Sequence, residues 1–170
     1  MIAVLSDTHS ENGHALDGPV LDAVEDADRV VHAGDLTSES ALDAFHDASE
    51  QLLAVHGNAD DDAVTDRLPA ARTLDVAGVR VAVTHHRRGG TTGLSLFGRE
   101  RGADLVVFGH THRPAVVETG DVTLLNPGSH ADPRGNEAGY AELLPTDDGV
   151  TVQLRGINGD VRREVRVEGR

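Results

Sequence analysis

The sequence predicts an α/β fold in which a βαβαβ segment and a strand-rich segment share one core. Short apolar runs alternate with amphipathic segments up to residue 56, the pattern of parallel strands with helices packed outside. From residue 72 onward, short strand-like runs separated by turn residues dominate. Several strands also run directly into Asp, Asn or His, and in open α/β sheets the carboxyl ends of strands are where ligands bind.

In order along the chain, Ile2–Leu5 reads as a buried strand. Ala15–Ala27 carries Leu16, Val20, Leu21 and Val24 at helical spacing. Arg29–His32 is a second strand, Ser38–Ala48 a second helix and Leu52–His56 a third strand. Arg72–Val76 and Val79–Thr84 flank Ala77-Gly78 and form a hairpin. Thr92–Arg101 is expected to be a helix and Asp104–Phe108 a buried strand. Five short strands follow, at Ala115–Glu118, Val122–Leu125, Gly139–Leu144, Val150–Leu154 and Val161–Val167. At 170 residues with no internal repeat or linker, the expectation is one domain, residues 1–170, with an α/β half and a β-rich half.

Composition narrows the function. The core is aliphatic, because aromatics are only 2 % of residues. The net charge is −14, and all 15 basic residues are Arg. Such a surface argues against stable nucleic-acid binding, which needs a basic footprint, and against an anionic membrane. An Asp-rich, Lys-free composition resembles that of salt-adapted proteins, in which high salt screens the self-repulsion of a negative surface. With no cysteine there is neither a disulfide framework nor a thiolate metal site. MIAVLSDTHS has no basic region ahead of its short apolar run, and no stretch approaches the roughly 20 apolar residues of a membrane span. A cytoplasmic location is the expectation, and exposed sheet edges are compatible with a homodimer.

The chemistry lies at the strand ends. They deliver Asp7-Thr8-His9, Gly34-Asp35, Gly57-Asn58, Thr84-His85 and Gly109-His110-Thr111-His112. Period-two alternation is expected to put Asp7 with His9, and His110 with His112, on one side of extended segments. Gly34 and Gly57 allow tight turns and close backbone approach. Carboxylate, amide and imidazole donors without sulfur suit Mn, Fe, Zn or Mg. Seven donors exceed the need of one tetrahedral ion and fit two ions if a carboxylate bridges. Two ions roughly 3.5–4 Å apart can hold a hydroxide between them that attacks a phosphate ester near neutral pH.

In order and spacing these motifs resemble the calcineurin-like metallophosphoesterase superfamily: D-x-H, G-D, G-N-x-D at Gly57-Asn58-Ala59-Asp60, H, and G-H-x-H. The resemblance spans residues 1 to about 130, and Asn126-Pro127-Gly128-Ser129 resembles the small bacterial and archaeal phosphodiesterase branch. It implies a four-layer αββα sandwich of two mixed sheets flanked by helices. It implies one ion on Asp7, His9, Asp35 and His112, a second on Asp35, Asn58, His85 and His110, and a bridging Asp35. Mn²⁺ is the first expectation, with Ni²⁺, Fe²⁺, Zn²⁺ or Mg²⁺ as alternatives. Asp7, Asp35, Asn58, Asp60 and His110 are expected to serve catalysis. Many relatives have His after the Asn, where it protonates the leaving oxygen; this chain has Ala59. A missing general acid costs about 10²–10⁴-fold, which favours a diester or activated ester over an alkyl monoester.

Other polar residues have open roles. His86 competes with His85 for one ligand position; His85 is preferred because it follows Thr84 as in the family pattern. His32 and His56 are expected in core or supporting positions, and His14 and His46 on the surface. A substrate-facing position for His130, and phosphate contacts from Arg87, Arg88 or Arg134, stand against ordinary solvated side chains. The Asp60-Asp61-Asp62 run is expected to be solvated apart from Asp60. The expected function is a dinuclear-metal phosphodiesterase on a small phosphate ester. The alternatives are a phosphomonoesterase, or a non-catalytic scaffold like the retromer subunit of this fold. Seven intact ligand positions favour the enzyme.

Overall fold

Alternation within the first strand sets the layering. In β1 (Ile2–Leu5), Ile2 and Val4 belong to one apolar cluster, Ala3 and Leu5 to another. A computed structural model describes residues 1–169. Its elements run β1, α1 (Gly18–Glu25), β2 (Arg29–His32), α2 (Glu39–Ala48), β3 (Leu52–Ala54), α3 (Asp62–Arg67), β4 (Ala71–Val76), β5 (Val79–Thr84), α4 (Gly90–Glu100), β6 (Leu105–Val107), β7 (Ala115–Glu118), β8 (Thr123–Asn126), β9 (Gly139–Thr146), β10 (Gly149–Gly156) and β11 (Val161–Val167).

The strands form two mixed sheets, ordered β11-β10-β9-β1-β2-β3 and β4-β5-β6-β8-β7. Between them lies a cluster rich in valine and leucine, with Val4, Val31, Leu143 and Val152 from the first sheet and Val81, Val83, Leu105 and Leu125 from the second. The outer face of the first sheet packs on Val20 and Val24 of α1, Leu42 and Phe45 of α2 and Val64 of α3. The outer face of the second packs on Leu94 and Phe97 of α4. The αββα sandwich is therefore present. β1, β2 and β3 are parallel, as are β5, β6 and β8.

Local chemistry explains the boundaries. The Ser38 side chain accepts the Ala41 N–H and caps α2. Ala77 and Gly78 have φ of 47° and 82°, the left-handed pair of a type I′ hairpin turn. The expected fusion of an α/β half with a β-rich half is corrected: β9, β10 and β11 join the first sheet, where β9 pairs antiparallel with β1. Helix α3 is an addition. Asp61 accepts the Val64 N–H at 2.9 Å, so part of the acidic run is a helix cap. The first predicted helix shortens to start at Gly18, with Pro19 in its first turn.

Candidate metal centre

Three strands of the first sheet (β1, β2 and β3) and two of the second (β5 and β6) end along one seam. The loops that follow them are laced together. The Asp7 N–H donates to the Gly34 carbonyl at 2.9 Å, the His9 N–H to Asp35 at 3.0 Å, and the Gly109 N–H to His85 at 3.0 Å. Across the sheets, His85 Nδ1 meets the Ala33 carbonyl at 2.8 Å.

The expected extended geometry of Asp7-x-His9 and His110-x-His112 is corrected. Asp7, His9, Asp35, His110 and His112 all have left-handed backbone, with φ from 46° to 73°. Each such non-glycine residue costs about 1–2 kcal/mol, a strain that collects at functional sites. With these bends the Asp7, His9, Asp35 and His112 side chains meet one another. Gly57 supplies the close approach expected of it: a Cβ there would meet Asp35 Oδ1 at 2.1 Å.

All seven predicted donors come together. Asp35 Oδ2 lies 3.3 Å from His9 Nε2 and 3.2 Å from His85 Nε2. Asn58 Oδ1 lies 3.2 Å from His85 Nε2 and 2.8 Å from His110 Nδ1. His112 Nε2 lies 3.4 Å from Asp7 Oδ1. Two groups have donor atoms all within 4.8 Å of one another: Asp7, His9 and His112, and Asp7, Asp35 and His85. Asp7, Asp35, His85 and His112 are buried, whereas Asn58 and His110 face outward. His86 stays at the rim, exposed, its ring 4.4 Å from that of His110. That separation favours His85 for the ligand position.

Proton placement tests whether this set suits a cation. A carbonyl only accepts, so the bond to Ala33 puts the proton of neutral His85 on Nδ1. Its Nε2 lone pair then faces the oxygens of Asp35 and Asn58. His112 repeats the device: Nδ1 donates to the Asp132 carbonyl, and buried Nε2 has no hydrogen-bond partner among the described residues. Lone pair set against lone pair repels unless a cation lies between, and a backbone-fixed Nδ1 is typical of metal-ligating histidine. The donor set fits divalent ions.

The electrostatics agree. Burial works against a charged His85, yet Asp35 outweighs it and raises the His85 pKa. Burial likewise works to raise Asp35, but His85 and the Ala59 N–H hold it down at about 2. Asp35 thus favours positive charge beside it, as a cation there would supply. Burial raises Asp7 and lowers His110.

Asp60 engages backbone amides of the loops beside the cluster. Its carboxylate accepts the N–H groups of Gly57 at 2.6 Å, Thr37 at 2.6 Å and Asp35 at 3.1 Å. His32 is fully buried, accepts the Gly34 N–H and bonds Thr8 Oγ1 at 2.8 Å, as its expected supporting place requires. Burial lowers its pKa to about 3. His46 is exposed as expected, whereas His14 is half-buried against Phe45. His130 faces inward against Phe45 and the His14 carbonyl, and burial lowers its pKa to about 4. Arg134 reaches Asp132 at 3.0 Å and comes within 3.4 Å of His9, while Arg87 covers the Phe97 ring.

Sequence reasoning missed several supports. Asn126 Nδ2 donates to the Gly109 carbonyl at 2.9 Å and to Thr111 Oγ1 at 3.0 Å. Ser129 Oγ donates to the Asp7 carbonyl at 2.7 Å, and Ser6 Oγ to Asp7 Oδ2 at 2.6 Å. The Asn126-Pro127-Gly128-Ser129 motif was the available signal for two of them.

Residues 1–149 match the calcineurin-like phosphoesterase superfamily domain. A protein named probable metallophosphoesterase from Methanocaldococcus jannaschii is 35 % identical over 139 residues, covering 79 % of this chain and 70 % of that one. A protein named phosphodiesterase from the same organism is 22 % identical over 160 residues, covering 85 % and 89 %. A crystal structure of Vps29 from Entamoeba histolytica superposes with a TM-score of 0.79 at 21 % identity, covering 99 % of both chains; this likeness shows the fold. With donors of this kind gathered on this fold, the protein is a metal-dependent phosphoester hydrolase. It belongs to the calcineurin-like phosphoesterase superfamily.

Proposed function

We propose that the protein is a phosphodiesterase that works with two divalent ions, Mn²⁺ foremost. The carrying observation is Asp35 Oδ2, set almost equally from His9 Nε2 and His85 Nε2 at 3.3 and 3.2 Å. It supports Asp35 as the bridge between one site of Asp7, His9 and His112 and another of Asn58, His85 and His110. Bound there, the ions supply Lewis-acid polarisation of the phosphoryl oxygens and an activated water. The chain's own part is to hold donors rigidly: Ser6 fixes Asp7, Ala33 fixes His85, and Asp132 fixes His112. Asp60 acts as a positioning residue for the Asp35 and Gly57 loops rather than as partner to an acid.

Two features favour a diester. Ala59 offers no proton to a poor leaving group. Clefts of about 240 Å³ and about 700 Å³ flank the cluster, both lined by His86 and Arg87, and a diester has two arms to seat. The relative named phosphodiesterase agrees with this. The acidic surface supports a small-molecule substrate over nucleic acid, and a cytoplasmic, salt-rich setting. Among the described residues no helix is long and apolar enough to cross a membrane. A homodimer through β7 or β11, the edge strands, is compatible with the sheets.

The test is hydrolysis of bis-p-nitrophenyl phosphate and p-nitrophenyl phosphate by EDTA-treated protein, with and without Mn²⁺. Metal-dependent turnover faster on the diester is expected. Preference for the monoester would move the reading to a phosphatase, and no turnover in low or molar salt would move it to a scaffold.

A further inference from the structure

The larger cleft has a chemistry of its own. His110 forms one wall, so the cleft opens directly onto the cluster. Leu94 of α4, Phe108, and Val116 and Val117 of β7 give it an apolar floor. Arg87, Arg113 and Arg163 stand around that floor, with no Asp or Glu in the lining.

This is unexpected in a chain with 29 acidic and 15 basic residues. Seven arginines outside the groove, Arg67, Arg99, Arg101, Arg134, Arg155, Arg162 and Arg166, form ion pairs with carboxylates. Among the described residues, the guanidinium groups of Arg113 and Arg163 have no ion pair or hydrogen bond, and buried Arg87 Nε has no hydrogen-bond partner. Guanidinium forks kept clear of carboxylates beside an apolar surface match a ligand with a planar or apolar body and an anionic end.

We propose that this groove seats one arm of the diester and selects an aromatic or similarly apolar arm bearing a further anionic group. The proposal rests on the phosphodiesterase reading above and adds the class of substrate.

Three p-nitrophenyl diesters, all releasing p-nitrophenolate, test it: the methyl, phenyl and 4-carboxyphenyl esters. With Mn²⁺-loaded protein, kcat/KM should rise in that order, the carboxylate adding about tenfold over phenyl through charge-assisted hydrogen bonds. The double variant Arg113→Ala/Arg163→Ala should bring the 4-carboxyphenyl to methyl ratio down to the phenyl to methyl ratio. Val117→Glu, an exposed change on an edge strand, should push the carboxylate preference below one. Equal kcat/KM for the three esters, or a carboxylate preference that survives the double variant, overturns the proposal. If no ester is hydrolysed, the phosphodiesterase reading fails and calorimetry with 4-carboxyphenyl phosphate decides the groove separately. Binding weakened about tenfold in the double variant supports it; equal binding by both proteins, or none, overturns it.

Discussion

Oδ2 of Asp60 accepts the backbone N–H of Asp35 at 3.1 Å, and the same oxygen accepts that of Gly57 at 2.6 Å. One carboxylate thereby locks together the loops after β2 and β3. Asp60→Ala leaves three N–H groups without their acceptor and should cost about 3 kcal/mol, read by urea unfolding. It should also weaken metal binding without changing any donor. Unchanged metal affinity in Asp60→Ala, by titration, would contradict the positioning role.

Gly57→Ala is the smallest change that should disturb the bridge. The new methyl would meet Asp35 Oδ1 at 2.1 Å and the Asp35 amide nitrogen at 2.6 Å, so one loop must move. Overpacking of this kind costs about 1–3 kcal/mol. The expected result is a folded protein with reduced metal content by mass spectrometry. Full metal content would mean that the loops yield without moving Asp35.

Burial of His130 makes stability depend on pH. Its folded pKa, lowered to about 4, lies below the ordinary 6.5, so between these values the unfolded chain binds more protons. Its contribution is complete above about pH 6.5 and lost as pH falls toward 4. His32, lowered to about 3, acts in the same direction. From pH 7 to pH 5, metal-free protein should lose about 2 kcal/mol on account of His130. Urea unfolding of wild type and His130→Gln at both pH values checks this; equal losses in the two proteins would refute it.

A net charge of −14 should make stability rise with salt. The screening length shrinks from about 10 Å at 0.1 M to about 3 Å at 1 M, which removes most surface repulsion. Thermal melts should show a higher Tm in molar KCl. The same Tm in both would remove the case for salt adaptation.

The strands and the motif residues at their ends were legible because each rests on local pattern, whereas the four layers followed from the family resemblance. β1 and β6 are continuous apolar runs, and the motif residues follow the ends of strands. Sheet membership was not legible: nothing in the run from Gly139 to Val167 states that β9 pairs with β1, a contact more than a hundred residues away. α3 was missed because six residues with one buried apolar side chain, Val64, are too few to show helical periodicity. The left-handed backbone of Asp7 and His110 was hidden because both residue types also occur in extended chain. Asp60 looked catalytic by its motif, whereas its three backbone partners depend on how two loops meet.

Asp35 is proposed to join two metal sites built from the ends of both sheets. Metal content by inductively coupled plasma mass spectrometry, after loading with Mn²⁺ and gel filtration, tests it most directly. Wild type should retain two ions per chain, His112→Ala about one and Asp35→Ala none, with circular dichroism confirming that each variant is folded. Two ions retained by Asp35→Ala, or only one by the wild type, would contradict the account.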